Sequence, residues 1–504
     1  MDTIPHQHTP HTRYVEPTYG GWARPTPQGI PGLSPVATGV AILGLLAAIP
    51  TWMLAGTLAG ALVVGVFLLL LAILGVRVAG RSVGQRAAAR TVFAVTTASG
   101  RTVYRSGPAS PRPSAGHRLP GLLADAVCHA PVGPTGEPFA LLEHPGGRWS
   151  IVLACDPTGE DLVDEQTLDE RVAAWGGFLT ELSCWPDVRL VQQTVQTAPD
   201  DGSELEAAID RLLEQATGTA PIATEALRET AAALTGGCVQ RRSWCAVTFA
   251  TASIAARASQ DRRAEVMGRH LARLLPALQA GLTASGAGGV HPMSPSQLAQ
   301  LVGTAFDPTA VAAGNGWSWG QAGPVTAVES WGAWRHDSAT SITWSMTDAP
   351  TGAVTRNALT ALLAPDLSGA TRRVCLTYRP HRPETARALA SRGVRQATWR
   401  ITGRPGLGDA GDDLGLAAAR QTQRELAQGA ALVSFAAHVT STVVGDDPAD
   451  LDLAVIETET AAAAAGIGLR RCWAHQNAAF TTALGLGVDL AAHTRVPASV
   501  RDNL

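Results

Sequence analysis

Hydrophobic and polar positions divide this chain into two regimes. Between Leu33 and Val76 it carries almost nothing but Ala, Gly, Leu, Ile and Val, and no charge falls between Arg24 and Arg77. A helix crossing the hydrocarbon core needs about 20 apolar residues, so a run of about twice that length predicts two crossings. Pro50, Thr51 and Trp52 near its middle supply a helix breaker and an interfacial aromatic. The pattern predicts a hairpin with helices at 33–49 and 54–76. Arg13 and Arg24 precede the run, Arg77, Arg81, Arg86 and Arg90 follow it, and the turn is uncharged. The positive-inside bias then places both ends in the cytoplasm, with the arginines held to the anionic leaflet. Tyr19, Trp22 and Arg24 before the run, and Trp52 within it, fit interfacial anchors.

From residue 119 onward the pattern alternates between strand and helix periods. Strands are predicted at 149–155, 188–197, 242–251, 373–378, 431–442 and 468–473, with a strand pair inside 324–348 turning near His336-Asp337-Ser338. Helical stripes fall at 83–95, 164–184, 205–214, 225–234, 262–282, 295–311, 357–363, 382–391, 412–429, 451–464 and 477–486. The expected fold class is a membrane-anchored α+β (α/β) protein, a transmembrane hairpin followed by repeated strand–helix units with mixed sheets. The expected organisation is a flexible tail (1–32), the hairpin (33–76), a basic juxtamembrane helix and linker (77–118), and two α/β domains (119–285 and 286–504). The Gly-rich stretch 281–289 marks the boundary between them. No short-period repeat is visible.

Composition narrows the chemistry. The net charge of −3 gives no basic field of the kind nucleic acid attracts. The chain contains no lysine. A phosphate-binding Walker A loop, a Schiff base and a Ser–Lys nucleophile pair each need one, so none can be built from this chain alone. Seven cysteines, none in a CxxC pair, fit buried thiols in a reducing compartment.

Reactive constellations are sparse. His6, His8 and His11 form a loose histidine cluster in the tail. Asp156, Asp161, Asp164 and Glu165 precede or open a helix, as do Asp409, Asp412 and Asp413, and both sets read as dipole-complementing caps. His291 and His336 have no evident partner in the sequence. Gly403–Gly408 lacks the lysine and the strand–helix setting of a phosphate loop. Gly316-Trp317-Ser318-Trp319-Gly320 matches G-x-S-x-G, but neither the strand before it nor the helix after it that a nucleophile elbow requires is predicted. Trp317, Trp319, Trp331, Trp334 and Trp344 fall close together with only Arg335 and His336 as basic company. Core packing is the first reading and a partner surface the second. No catalytic, metal or cofactor site is predicted. Trp331, Trp334, Arg262, Arg263 and Arg269 are the candidate partner contacts.

A family resemblance adds to this. Tyr19-Gly-Gly-Trp22-x-Arg24-Pro25 ahead of a double apolar run resembles the PrgI-like membrane proteins of Gram-positive conjugation systems. Tyr104-Arg-Ser-Gly-Pro108, His117-Arg-Leu-Pro-Gly-Leu122, Pro138-Phe-Ala-Leu141, Cys155-Asp-Pro157, Leu162-Val-Asp164, Trp175-Gly176, Val195-Gln-Thr-Ala-Pro199 and the strand around Val247 resemble actinobacterial proteins of integrative and conjugative elements. In that family the hairpin precedes a region similar to the non-ATPase part of the TrbE/CagE secretion ATPases. Leu469-Arg-Arg-Cys-Trp473, Gln476, Phe480 and Leu484-Gly-Leu-Gly487 resemble its end, where a motor domain would begin.

The resemblance implies an inner-membrane component of a type IV secretion-like channel. Such a component would contact the lipid bilayer, other channel subunits and copies of itself, and would position a separate ATPase without binding nucleic acid directly. An EccE-like component of type VII secretion and a membrane-bound transferase are the alternatives. The first would be separated by its neighbouring genes, the second by a cleft with convergent acids or histidines.

Overall fold

Strand periods and helix periods alternate twice along this chain, and the fold repeats with them. The computed structural model describes residues 17–20, 22, 35–75, 77–78, 81–107, 110, 119–159, 162–200, 202–215, 220–235, 239–310, 316–350, 352–366, 368–402 and 410–493. The histidine cluster of the tail, Arg24, Asp161, Cys238, most of the linker 108–118, the 403–408 glycine stretch and Asp409 lie outside them, as do the side chains of Arg77 and Arg81.

The apolar run forms α1 (Pro35–Ala55) and α2 (Thr57–Gly75). The first helix does not break at Pro50. It continues past it, with the Thr51 hydroxyl donating to the Ala47 carbonyl at 2.7 Å, and the chain reverses at Gly56, whose φ of +87° an L side chain resists. The helices approach where small residues allow it, Gly44 receiving the Phe67 ring and Gly60 receiving Trp52. Leu43, Leu46, Met53, Leu54 and Leu58 stay exposed.

Among the described residues, no helix is long and apolar enough to cross a membrane. Helix α2, 19 residues long, rises about 28 Å at 1.5 Å per residue, against a hydrocarbon core of about 30 Å. This corrects the membrane-anchored fold class and the two-span, inner-membrane localisation with both termini cytoplasmic.

The short strands β1 (Arg77–Val78) and β2 (Arg81–Ser82) pair with each other and lead into α3 (Val83–Ala98). The body follows. Its first half contains β3 (Val103–Arg105), β4 (Val127–His129), β5 (Leu141–His144), β6 (Arg148–Asp156), α4 (Glu165–Cys184), β7 (Val188–Pro199), α5 (Ser203–Gln215), α6 (Pro221–Thr235), β8 (Val239–Ala250), α7 (Ser253–Ala256), α8 (Gln260–Leu282), β9 (Gly289–Pro292) and α9 (Pro295–Phe306). The second contains β10 (Thr326–Glu329), β11 (Trp334–His336), β12 (Ala339–Asp348), α10 (Thr360–Leu363), β13 (Thr371–Pro380), α11 (Pro383–Thr402), α12 (Ala410–Ala427), β14 (Val433–Val444), α13 (Pro448–Ala464), β15 (Gly468–Arg471), α14 (Gln476–Ala483) and α15 (Leu490–His493).

Thirteen strands form one sheet, in the order β3-β10-β11-β12-β14-β13-β7-β8-β6-β5-β4, with β9 added to β6 and β15 added to β12. The order β4-β5-β6-β8-β7 of one half is the order β10-β11-β12-β14-β13 of the other. The halves meet antiparallel at β7 and β13, with Cys375 opposite Thr194. The architecture is a duplication about a pseudo-twofold axis through this seam.

The expectation of mixed sheets is also corrected, because every ladder between the named strands is antiparallel. The cause is the connections. Two helices, α5–α6 or α11–α12, lie between the central strands of each half, and an out-and-back pair returns the chain to the strand end it left. The Gly-rich stretch 281–289 holds the end of α8, one π-helical turn at Thr283–Ala287 and the start of β9, and it sends β9 back to β6 with Gly286 and Gly288 at positive φ.

Each sheet face has its own cover. On one, Ile151, Leu153, Cys245 and Val247 pack under α4 and α8, while Val374 and Val439 pack with Leu362 of α10 and Ala462 of α13. On the other, Leu142, Val152, Trp244 and Ala246 pack under α9 and under Phe480, Leu484 and Leu486 of the closing segment. Asp164 caps α4 through the Thr167 amide at 2.8 Å, the role its position predicted.

Candidate functional site

The face under α9 and α14 is polar where a sheet interior is ordinarily aliphatic. Its strands present Gln192, Thr194, Thr248, Thr343, Arg373, Cys375, His438 and Thr440, all buried. A buried polar group costs free energy unless it is paired, and Gln192, Thr248, Thr343 and Cys375 pair with the segment 476–489, which runs across the sheet as a strap. Gln476 holds both backbone groups of Thr343, accepting from its amide at 2.8 Å and donating to its carbonyl at 3.2 Å. The Trp244 indole donates to the Leu484 carbonyl at 3.0 Å. Gln192 accepts from the Gly487 amide at 2.6 Å, and Thr248 donates to the Gly487 carbonyl at 2.8 Å. Asp489 closes the strap with ion pairs to Arg148 of the first half, at 3.1 Å, and Arg379 of the second, at 2.7 Å.

Two equivalent networks lie beneath. His144 Nε2 meets Ser150 at 2.9 Å and Ser150 meets Thr248 at 2.8 Å. In the second half His336 Nε2 meets Ser341 at 2.8 Å and Ser341 meets Thr442 at 2.7 Å. The free ring nitrogens reach across the halves: His336 Nδ1 bonds the Phe306 carbonyl at the end of α9, and His144 bonds the Leu486 backbone in the strap. Burial drives both histidines down to about 4, so both are neutral at ordinary pH.

A histidine within hydrogen-bond reach of a serine has the geometry of a base and its nucleophile. Here each serine is itself fully buried and bonded to a threonine, and the unit occurs twice, bridging the halves. The arrangement locks the fold. His336, which had no partner in the sequence reading, is thereby accounted for, and His291 faces Asp156 at 3.6 Å.

Arg373 is the unusual charge. Only 2% exposed, it donates to Gln196 Oε1 at 2.7 and 3.1 Å and lies 5.7 Å from the Phe480 ring centre, while its Nη1 has no partner among the described residues. Burial lowers its pKa to about 10, with no carboxylate opposing the shift.

The candidate surface site lies at the second half's outer edge. Trp331, in the β10–β11 turn, stacks with Trp473 at 6.3 Å and takes Phe93 of α3 edge-on at 5.4 Å. Arg90 lies 6.0 Å above the Trp331 ring and Arg471 lies 4.7 Å above that of Trp473, both in cation–π positions. Beside them a cleft of about 190 Å³ is lined by Phe93, Thr96, Arg101, Glu329, Ala474 and His475. Burial raises the Glu329 pKa, opposed by the Asn477 amide that its carboxylate accepts at 3.0 Å.

No protein-family model matches this chain, and no curated protein matches it either.

The structure distributes the predicted site residues widely. Tyr19 pairs with Val354 through both backbone groups at 2.8 Å, and Trp22 sits edge-on to Phe435 at 6.1 Å. Trp52 is exposed beside Gly60, and Arg86 is exposed on α3. Arg90 and Trp331, read in sequence as a membrane anchor and a partner contact, touch each other. Trp334 is 1% exposed, wedged between Phe306 and Phe480, so its ring is core and offers no partner surface. Arg262, Arg263 and Arg269 lie on α8 of the first half, not beside Trp331. Arg262 is exposed, Arg263 Nε is buried without a partner, and Arg269 pairs with Glu265 at 3.6 Å one turn away. Within the G-x-S-x-G match, Ser318 donates to Gln321 at 2.9 Å and the Trp319 indole to the Ala126 carbonyl at 3.1 Å. Its loop and single 3-10 turn are not a nucleophile elbow.

Sequence reasoning missed the twin His–Ser–Thr networks. Their signal was present: His and Ser stand 6 and 5 residues apart, with a Thr 98 and 101 residues beyond the Ser.

Proposed function

We propose that this chain is a non-catalytic structural component of a type IV secretion-like, conjugative transfer apparatus, whose work is to hold a separate ATPase. The observation that carries the reading is the role of the family-like residues. Gln476, Phe480, Leu484, Gly485, Leu486 and Gly487, which resemble the end of the TrbE/CagE non-ATPase region, lock the strap to the sheet. Their work is architectural, which suits a platform. The absence of lysine supports the same reading, since these residues cannot themselves build the phosphate loop of a motor. The Trp331–Trp473 edge, rich in aromatic and arginine side chains, has the composition of an interface hot spot.

The test is affinity purification of the tagged full chain from its native cells, with nucleotide hydrolysis assayed on the eluate and on the purified chain alone. The reading expects a lysine-bearing ATPase in the eluate and no hydrolysis by the chain alone. Nucleotide turnover by the pure chain, or an eluate without an ATPase, overturns it.

A further inference from the structure

The duplication sets two helical hairpins in equivalent places and gives them opposite charge. The first, α5–α6, carries Glu204, Glu206, Asp210, Glu214, Glu225 and Glu229 against Arg211 and Arg228. The second, α11–α12, carries Arg387, Arg392, Arg395, Arg400, Arg420 and Arg424 against Glu384, Asp412, Asp413 and Glu425. Of the acids, Glu214, Glu225 and Glu229 are exposed and Asp210 pairs with Arg228 at 2.8 Å. On the second hairpin Arg387, Arg392, Arg395, Arg420 and Arg424 are all exposed, and none has an ion-pair partner among the described residues. Both hairpins also expose apolar side chains: Leu212, Ile222 and Leu227 on the first, Trp399 and Leu414 on the second.

The two cannot neutralise each other within one molecule. β7 and β13 run antiparallel, with Thr197 opposite Arg372 and Val191 opposite Tyr378. The hairpins that follow these strands therefore leave the sheet at opposite strand ends, about 30 Å apart for some ten residues at 3.3 Å each.

We propose that the acidic hairpin α5–α6 of one copy docks on the basic hairpin α11–α12 of a second copy, joining copies head to tail. The charge complementarity is the chain's own, and the exposed leucines, Ile222 and Trp399 supply an apolar centre within a charged rim. A head-to-tail contact uses two different patches, so every copy keeps one of each free, and repetition closes a ring or extends a filament. This inference does not rest on the proposed ATPase partner.

The experiment is sedimentation velocity of the full chain at low and high salt. It compares wild type with the reversals Arg387→Glu/Arg395→Glu and Glu225→Arg/Glu229→Arg, each checked for a wild-type circular dichroism spectrum. The wild type is expected to associate at low salt and to weaken by about tenfold or more as salt rises. Each reversal alone should lose that association, and an equimolar mixture of the two should regain it, since the unaltered acidic hairpin of one variant then meets the unaltered basic hairpin of the other. Association that survives both reversals, as contact through α1 and α2 would, overturns the proposal. So does a mixture that fails to recover. A third overturning result is a basic hairpin whose reversal abolishes binding of a single-stranded oligonucleotide while self-association stays unchanged.

Discussion

His144 and His336 show how this sheet uses neutral polar groups as internal fastenings, and His438 is buried in the same sheet. Burial lowers all three to about 4. In the unfolded chain each would titrate near 6.5, so below that pH the unfolded state takes up protons that the folded state refuses until about pH 4. The sign follows: stability is full above about pH 6.5 and falls as pH drops through the window from 6.5 to 4, by about 3 kcal/mol for each histidine at most. Urea midpoints measured across that window should decline steadily, and His336→Asn should flatten part of the decline. A midpoint that holds level down to pH 4 would mean that these rings are protonated in the fold. Arg373 argues in the opposite direction. It is a buried cation with no acid to offset it, and such a charge costs more than a packed apolar side chain of similar volume. Arg373→Met should raise stability by about 1–3 kcal/mol, read as a higher urea midpoint. A loss would show that the Gln196 bonds and the Phe480 contact outweigh the desolvation.

The elements were largely legible because their side-chain periods are clean. α4 repeats its stripe through Trp175, Phe178, Leu179 and Leu182, and Asp164 stands where a cap belongs. What failed was the reading of the breaks. The apolar pattern places the hairpin turn at Pro50-Thr51-Trp52, yet a proline in a helix removes one hydrogen bond and does not oblige the chain to reverse. The reversal falls instead at Gly56, the residue free to take positive φ. Strands as short as β3, β4 and β10 contain too few residues to show a period. By periodicity the strap reads as a terminal helix, because the bonds that hold its 484–487 stretch to the sheet come from backbone groups of Leu484, Leu486 and Gly487, which leave no side-chain pattern. Its glycines mark it in the structure. A Cβ on Gly487, at φ +84°, would lie 2.1 Å from Ser150 Oγ and 2.3 Å from Thr248 Oγ1. Gly487→Ala should therefore cost about 2–4 kcal/mol, combining a strained φ with a clash in the lock. Chemical denaturation would show it, alongside Gly415→Ala on exposed α12, where a Cβ meets nothing within 4 Å and little change is expected.

At the scale of the molecule the duplication explains why two domains were expected and one sheet is found. Each half repeats the same order of elements, so a pass along the sequence sees two α/β units. The halves share no local sequence repeat, and the pairing of β7 with β13 joins residues about 180 positions apart, so the seam is invisible to any window of local periodicity. The halves are also laced together reciprocally. The end of α9, in the first half, bonds His336 of the second, and the strap from the second half bonds His144 and Gln192 of the first. Folding of either half alone would leave the β7 or β13 edge unpaired and its histidine without the carbonyl it reaches. Cutting the chain between Ala310 and Gly316, in the segment that joins the halves, preserves every one of these contacts. The fragments 1–310 and 316–504, produced together, should assemble and co-purify with the circular dichroism spectrum of the intact chain, while either one produced alone should be insoluble or unfolded. If instead one fragment folds cooperatively by itself, the seam and the reciprocal straps are not what holds that half together.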